Sequence, residues 1–293
     1  MIVILFLLVV TAVLTWSALS NYWRETNLPR FDIQRDRLHG LRRRGAGPRL
    51  LMIHGLAASS RFWEPMIAQL PQNYDVLAPD LLGFGLSPKP SANYDLNEQV
   101  AAIEALMQQH HFAAEGPIVL VAHSMGALVA MQLAVAYPNR FARVVFISTP
   151  CYPNAASAAE CLAKVSIMHK GVLHNSAWVK AMCFALHGRK WPNIGHLFGI
   201  PEPVFTAGGQ HTWESLSKSL QHSVIEVDVS RLLSKLIEPV MFIHGDCDRV
   251  APVDYVRRLL SQSPQIPLHV ISGADHSLPL THAEVVADLI APQ

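Results

Sequence analysis

The sequence predicts an α/β fold, a mostly parallel central sheet with helices on both faces. Three observations point there. Short apolar runs recur with almost no polar interruption, as strands covered on both faces require. Segments with apolar residues at helical spacing alternate with them, and this alternation argues a parallel sheet. One run passes through a small-residue turn, Ala122-His123-Ser124-Met125-Gly126, straight into a helical pattern.

The elements follow in chain order. Residues 31–44 read as an amphipathic stretch that adds antiparallel strands. Further strands are expected at 50–54, 75–78, 118–122, 144–148, 240–244 and 268–271. The first of these and the third to fifth are near-continuous apolar runs. Within 97–110, Val100, Ile103, Leu106 and Met107 recur at helical spacing. After Ser124, the residues Leu128, Met131, Leu133 and Val135 lie in a helix that Pro138 ends, because proline has no N–H to continue the ladder.

Residues 151–222 break this rhythm. They hold no convincing buried strand and carry Trp178, Met182, Phe184, Trp191, Phe198, Phe205 and Trp213. They read as a mostly helical cap, with most of these aromatics packing the cap's own small core. The expected organisation is a membrane anchor at 1–22, a core in two parts at 23–150 and 223–293, and the cap at 151–222 between them.

The anchor expectation rests on hydropathy. No charged side chain precedes Arg24. Eighteen helical residues span about 27 Å, close to the roughly 30 Å of a hydrocarbon core. Trp16, Tyr22 and Trp23 are placed to form an interfacial belt. Arg24, Arg30, Arg35 and Arg37 follow the segment, so the positive-inside rule puts the catalytic domain on the cytoplasmic side of a single-pass protein. The alternative is a signal peptide cleaved near Ala18-Leu19-Ser20, with a secreted or periplasmic product. The absence of a basic residue before the apolar run speaks against it.

Composition excludes some functions. The chain has 293 residues and a formal net charge of +1, which argues against nucleic acid as a partner. The four cysteines form no C-x-x-C pair and show no metal-ligand spacing. The fifteen histidines include no zinc motif such as H-E-x-x-H. No metal or organic cofactor is expected.

The turn at Ser124 has the form of a nucleophile elbow, with Ala122 in place of the usual first glycine. It would expose the hydroxyl above the sheet, and the Met125 backbone N–H would face a developing oxyanion. The run 50–54 ends in His54-Gly55, a loop where Leu56 can offer a second N–H and the His54 side chain holds the loop. No Asp or Glu lies between Ser124 and Glu160, so an orienting acid must come later. The stretch His244-Gly245-Asp246-Cys247-Asp248 supplies Asp248 as the better candidate and Asp246 as the runner-up. His276, after the last strand, is the candidate base. The order Ser124, Asp248, His276, each just past an expected strand, is more restrictive than any one of them.

Taken together, these motifs and Ala78-Pro79-Asp80-Leu81-Leu82-Gly83-Phe84-Gly85-Leu86-Ser87 make the chain resemble the α/β-hydrolase superfamily from about residue 31 onward. The resemblance implies the α/β-hydrolase fold and gives Asp80 an architectural role. Relatives that open epoxides or displace halides carry Asp at the elbow, so Ser124 points to acyl transfer. The expectation is a serine hydrolase of the esterase or lipase type, acting on small-molecule or lipid-like carboxylic esters. Thioesters, lactones and carbon–carbon bonds beside a carbonyl remain open for the same three residues, as does a non-catalytic receptor on the same fold.

Overall fold

The computed structural model describes residues 2–112, 116–187 and 202–291. Trp191, His196 and Phe198 lie outside the described residues. Seven strands form one sheet, β1 (Gly40–Arg43), β2 (Arg49–Ile53), β3 (Asp75–Pro79), β4 (Ile118–His123), β5 (Phe141–Ile147), β6 (Val240–Gly245) and β7 (Leu268–Ile271), in the order β1-β3-β2-β4-β5-β6-β7. β1 runs antiparallel to β3 and every other pair is parallel. The expected amphipathic start of the core thus contributes a single antiparallel edge strand.

The apolar runs are continuous because both faces of the central strands are covered. On β2, Leu51 and Ile53 pack on one side with α3 (Leu96–Gln109) and α4 (Met125–Ala136). Leu50 and Met52 pack on the other with α2 (Glu64–Gln69) and α13 (Ala283–Ile290). β4 is buried along its whole length. Each such Val or Leu removed from water contributes about 1.5–3 kcal/mol, so β4 and its neighbours form a rigid floor. Ser124 and the loops that carry Asp248 and His276 leave this floor at the C-terminal ends of β4, β6 and β7.

The chain between β5 and β6 is helical where described. It contains α5 (Ala155–Val165), α6 (Ile167–Leu173), α7 (Ala177–Leu186), α8 (Glu202–Ala207) and α9 (Trp213–Leu220), and α9 continues into a π turn at Gln221–Ile225. Phe184 and Trp213 pack with Val179 and Cys183 in a small core of their own, whereas Trp178 is exposed. The core resumes with α10 (Val229–Leu233), α11 (Val253–Leu260) and α12 (Leu278–Thr281).

The N-terminal segment corrects an expectation. It forms helix α1 (Ile2–Thr26), whose side chains are described at residue 8 and from residue 10 on. Among the described residues no helix is long and apolar enough to cross a membrane. A single-pass membrane protein with a transmembrane helix and a cytoplasmic catalytic domain is therefore not supported. The described half of α1 instead packs on the helical insertion. Ser17, Asn21 and Glu25, four residues apart, share one buried face. Asn21 Nδ2 donates to the carbonyls of Phe184 at 2.7 Å and His187 at 2.9 Å. Glu25 Oε2 accepts the Trp213 N–H at 2.9 Å. The Tyr22 ring meets Phe184 edge-on, with centroids 5.8 Å apart, instead of joining a belt. Hydropathy alone misreads this helix because it weighs the apolar majority and overlooks the polar stripe.

Candidate active site

Ser124 occupies the junction of β4 and α4 with φ 54° and ψ −128°. This backbone is strained for a residue with a Cβ. It persists because both sides of the turn are held. The Ser124 N–H donates to the Ile147 carbonyl at the end of β5 at 3.0 Å. On the other side α4 starts directly against β2, and a Cβ on Gly126 would lie 2.4 Å from the His54 carbonyl oxygen. Only glycine fits there. Ala122 is tolerated because it lies within the sheet, paired in register with Ile53 and Phe146.

The His276 imidazole reaches Ser124 from the loop after β7. Ser124 Oγ lies 2.9 Å from His276 Nε2. His276 Nδ1 lies 2.8 Å from Asp248 Oδ2. The buried Asp248 carboxylate also accepts the N–H groups of Val250 at 2.9 Å and Ala251 at 2.8 Å. Burial alone would raise its pKa. The charge of His276, the hydrogen bond to it and the Ala251 N–H outweigh that and hold the carboxyl below its ordinary value. Asp246 does other work: its Oδ1 accepts the Gly273 N–H at 2.7 Å, tying the loop after β6 to the loop that carries His276.

Leu56 sits in the turn after β2, and this turn touches the elbow. A Cβ on Gly55 would come within 3.0 Å of the Ser124 Cβ. The His54 imidazole fixes the turn from below. Its Nε2 accepts the Leu81 N–H at 2.9 Å, so Nδ1 carries the proton and donates to the Gly55 carbonyl at 2.7 Å. Burial holds this ring below the usual histidine pKa, which suits a neutral brace. Met125 opens α4, and its N–H is one of the first-turn donors that a helix leaves without an intrahelical partner. Asp80 accepts the backbone N–H groups of Ser60 at 2.5 Å and Leu86 at 2.8 Å. It organises two loops, as the sequence implied.

Two further histidines support the trio, and sequence reading had assigned them no role. His123, the last residue of β4, donates from Nε2 to the His276 carbonyl at 2.8 Å. Burial first, then the neighbouring His276, pushes its pKa down to about 3, so the ring is neutral. Its plane stacks on Phe62 with centroids 4.6 Å apart. His244, in β6, lies 2.5 Å from the Ala251 carbonyl through Nε2 and 3.5 Å from Asp248 Oδ2. A usable signal was present in the sequence: His54, His123 and His244 each stand within one residue of the C-terminal end of a strand.

A cleft of about 590 Å³ opens elsewhere, at the N-terminal ends of β2 and β3 beside Arg42, Arg49 and Asp75. Both arginines pair with Asp75. The cleft lies at the opposite strand ends from Ser124.

Comparison with known proteins agrees with this architecture. The chain is 28% identical over 258 residues to 2-(acetamidomethylene)succinate hydrolase from Mesorhizobium japonicum, covering 84% of this chain and 87% of that protein. It is 29% identical over 259 residues to the probable lysophospholipase BODYGUARD 5 of Arabidopsis thaliana, covering 78% of this chain but 57% of that protein. A thermophilic esterase from Thermogutta terrifontis superposes with a TM-score of 0.66 at 22% identity, over 86% of this chain and 91% of the esterase, a likeness of fold. The model of the family described as "Alpha/beta hydrolase family" matches residues 50–289, from the first parallel strand through most of the last helix, and the chain belongs to that family.

Proposed function

We propose that the protein is a serine hydrolase that cleaves carboxylic esters through an acyl-enzyme on Ser124. The observation that carries this reading is the continuous path from the Ser124 hydroxyl through His276 to Asp248, with steps of 2.9 and 2.8 Å. His276 Nε2 takes the Ser124 proton as Oγ attacks the ester carbonyl. Asp248 accepts from Nδ1–H, which fixes the tautomer and stabilises the imidazolium. The Met125 N–H at the start of α4 and the Leu56 N–H in the turn after β2 receive the oxyanion, a role suited to backbone donors beside the nucleophile. Collapse of the tetrahedral intermediate expels the alcohol, which takes the proton from His276. Water, activated by the same imidazole, then releases the acid. These steps call on no metal or organic cofactor.

The family relatives support a hydrolase, and the names of the esterase and the probable lysophospholipase support ester bonds within that class. The probable lysophospholipase among the relatives favours lipid-like acyl groups within that class.

A panel of p-nitrophenyl esters, a thioester and a lactone, compared by kcat/KM, tests the reading. Esters should be turned over best, and Ser124→Ala should lower kcat by roughly 10⁴–10⁶ while the protein stays folded. Turnover retained by a clean Ser124→Ala preparation would exclude an acyl-enzyme on this residue. A folded wild type that neither cleaves these substrates nor reacts with a fluorophosphonate would favour the receptor reading.

A further inference from the structure

The helical insertion contains a second cluster of chemically able side chains that the proposed reaction does not use. Cys183 and His187 stand four residues apart at the end of α7, so they share one face. His211, which immediately precedes the N-cap of α9, comes to meet them. All three are buried, and one potential ligand atom from each lies within 4.8 Å of the others. Cys183 Sγ is 2.9 Å from His187 Nε2 and 3.3 Å from its Nδ1. The His187 and His211 rings have centroids 4.0 Å apart.

A thiol–imidazole contact explains only part of this cluster. A thiol has one proton and bonds one nitrogen at a time. His211 is 94% buried by its 6% exposure, yet neither of its ring nitrogens has a hydrogen-bond partner. Leaving such groups unpaired in an interior costs about 1–3 kcal/mol. Close by is a further orphan: Glu25, whose charge acts on Cys183, has a buried Oε1 without a partner. One cysteine sulfur, two imidazoles and a nearby carboxyl group are an arrangement that a divalent cation would satisfy at once. A borderline-soft ion takes sulfur and imidazole together.

We propose that Cys183, His187 and His211 form a structural site for a zinc-like divalent cation. In tetrahedral zinc, with Zn–S about 2.3 Å and Zn–N about 2.0–2.1 Å, neighbouring ligand atoms lie roughly 3.5 Å apart. The Cys183–His187 contacts of 2.9 and 3.3 Å and the 4.8 Å that bounds the whole set bracket that spacing. The fourth position takes a water. On binding, the Cys183 Sγ–H proton leaves to solvent and the sulfur electron pair forms the bond to the cation; nothing is oxidised or reduced. The site would join α7 to the start of α9. Through Asn21, which donates to the His187 carbonyl, it would also brace α1. The sequence hid the site because the cysteines carry no recognised metal-binding spacing and His211 is remote in the chain from Cys183 and His187.

The test uses the full chain without a histidine tag, stripped by a chelator and titrated with Co²⁺. One Co²⁺ per chain should bind, with a sulfur-to-cobalt charge-transfer absorption in the near ultraviolet that stoichiometric Zn²⁺ abolishes. Cys183→Ser should remove that absorption, and Cys247→Ala, which lacks the exposed thiol, should retain it. His211→Gln should weaken Co²⁺ binding at least ~10-fold, as loss of a ligand or its support does. Zn²⁺ at about 100 times its Kd should raise the Tm of wild type by roughly 5 °C and leave Cys183→Ser unmoved. A folded wild type with no charge-transfer absorption would overturn the proposal. So would an absorption that survives both Cys183→Ser and His211→Gln.

Discussion

His123 holds His276 by its backbone: the His123 Nε2–H donates to the His276 carbonyl at 2.8 Å, one residue before Ser124 in the chain. The strand that presents the hydroxyl therefore also locates the imidazole that faces it. Because burial and His276 keep His123 neutral down to about 3, this link persists through the working pH range. Replacing His123 by Phe keeps the stacking on Phe62 and deletes the donor. Misplacement by about 1 Å at a reacting centre can cost 10²-fold. We expect kcat for His123→Phe to fall about 10–100-fold, KM to change little and the pH profile to keep its shape. Stopped-flow or steady-state kinetics on a p-nitrophenyl ester would measure this. Activity within twofold of wild type would show that the link does not position His276.

Asp248 links the site to acid stability. Its carboxyl lies below the ordinary value in the folded protein, although burial pulls the other way, because His276 and the Ala251 N–H stabilise the ionised form. A group with a lowered folded pKa contributes stability that is present above the unfolded value, about 3.9, and is lost as pH falls through the lower folded value. Urea unfolding followed as pH falls from about 6 through the unfolded value should show a steeper loss below about pH 4 in wild type than in Asp248→Asn. The same variant should lose about 10⁴ in kcat, since the amide no longer holds the correct tautomer. Parallel stability curves for the two proteins would rule out this contribution.

How far the chain could be read in advance depended on where each pattern was stored. β2, β4 and β6 are continuous apolar runs because both faces are covered, and that information is local. Ser124, Asp248 and His276 were picked out by their order past strand ends, and their atoms do come within hydrogen-bond distance. β1 was visible only as part of an amphipathic stretch, since an edge strand of four half-buried residues carries little signal. The destination of α1 was misjudged. Ser17, Asn21 and Glu25 mark its inner face, but their partners Phe184, His187 and Trp213 lie more than 150 residues away in sequence. For His123 and His244 the sequence carries only their placement at strand ends; the contacts that give them supporting roles come from other loops and from burial.

Gly126 is where the elbow has no room to spare. A methyl group there would sit 2.4 Å from the His54 oxygen and 2.5 Å from the Ile53 oxygen, both backbone atoms that cannot swing aside. Relief requires α4 to move away from β2, which shifts Ser124 relative to Leu56. Overpacking of this kind costs typically 1–3 kcal/mol and sometimes more. In a protein of this size we expect Gly126→Ala to lower Tm by roughly 2–5 °C and to reduce kcat with it. Differential scanning calorimetry decides the matter. A Tm within a degree or so of wild type would mean that the helix start is looser than its contacts indicate.

Asn21 tests whether α1 belongs to the folded body. Its amide nitrogen serves two carbonyls at the end of α7, those of Phe184 at 2.7 Å and His187 at 2.9 Å, within a buried contact. These are among the last carbonyls of a helix, which have no intrahelical donor and need one from outside. Asn21→Leu keeps the helical propensity and the bulk of the side chain and removes both donations. Leaving the two carbonyls unpaired should cost about 1–3 kcal/mol. The loss is local, so amide exchange in α7 should accelerate about 5- to 150-fold while exchange in β4 stays unchanged. Hydrogen-exchange mass spectrometry resolves the two regions. Equal protection of α7 in both proteins would show that α1 rests against the insertion without holding it. Accelerated exchange confined to α7 would establish the polar stripe on α1 as a working part of the fold.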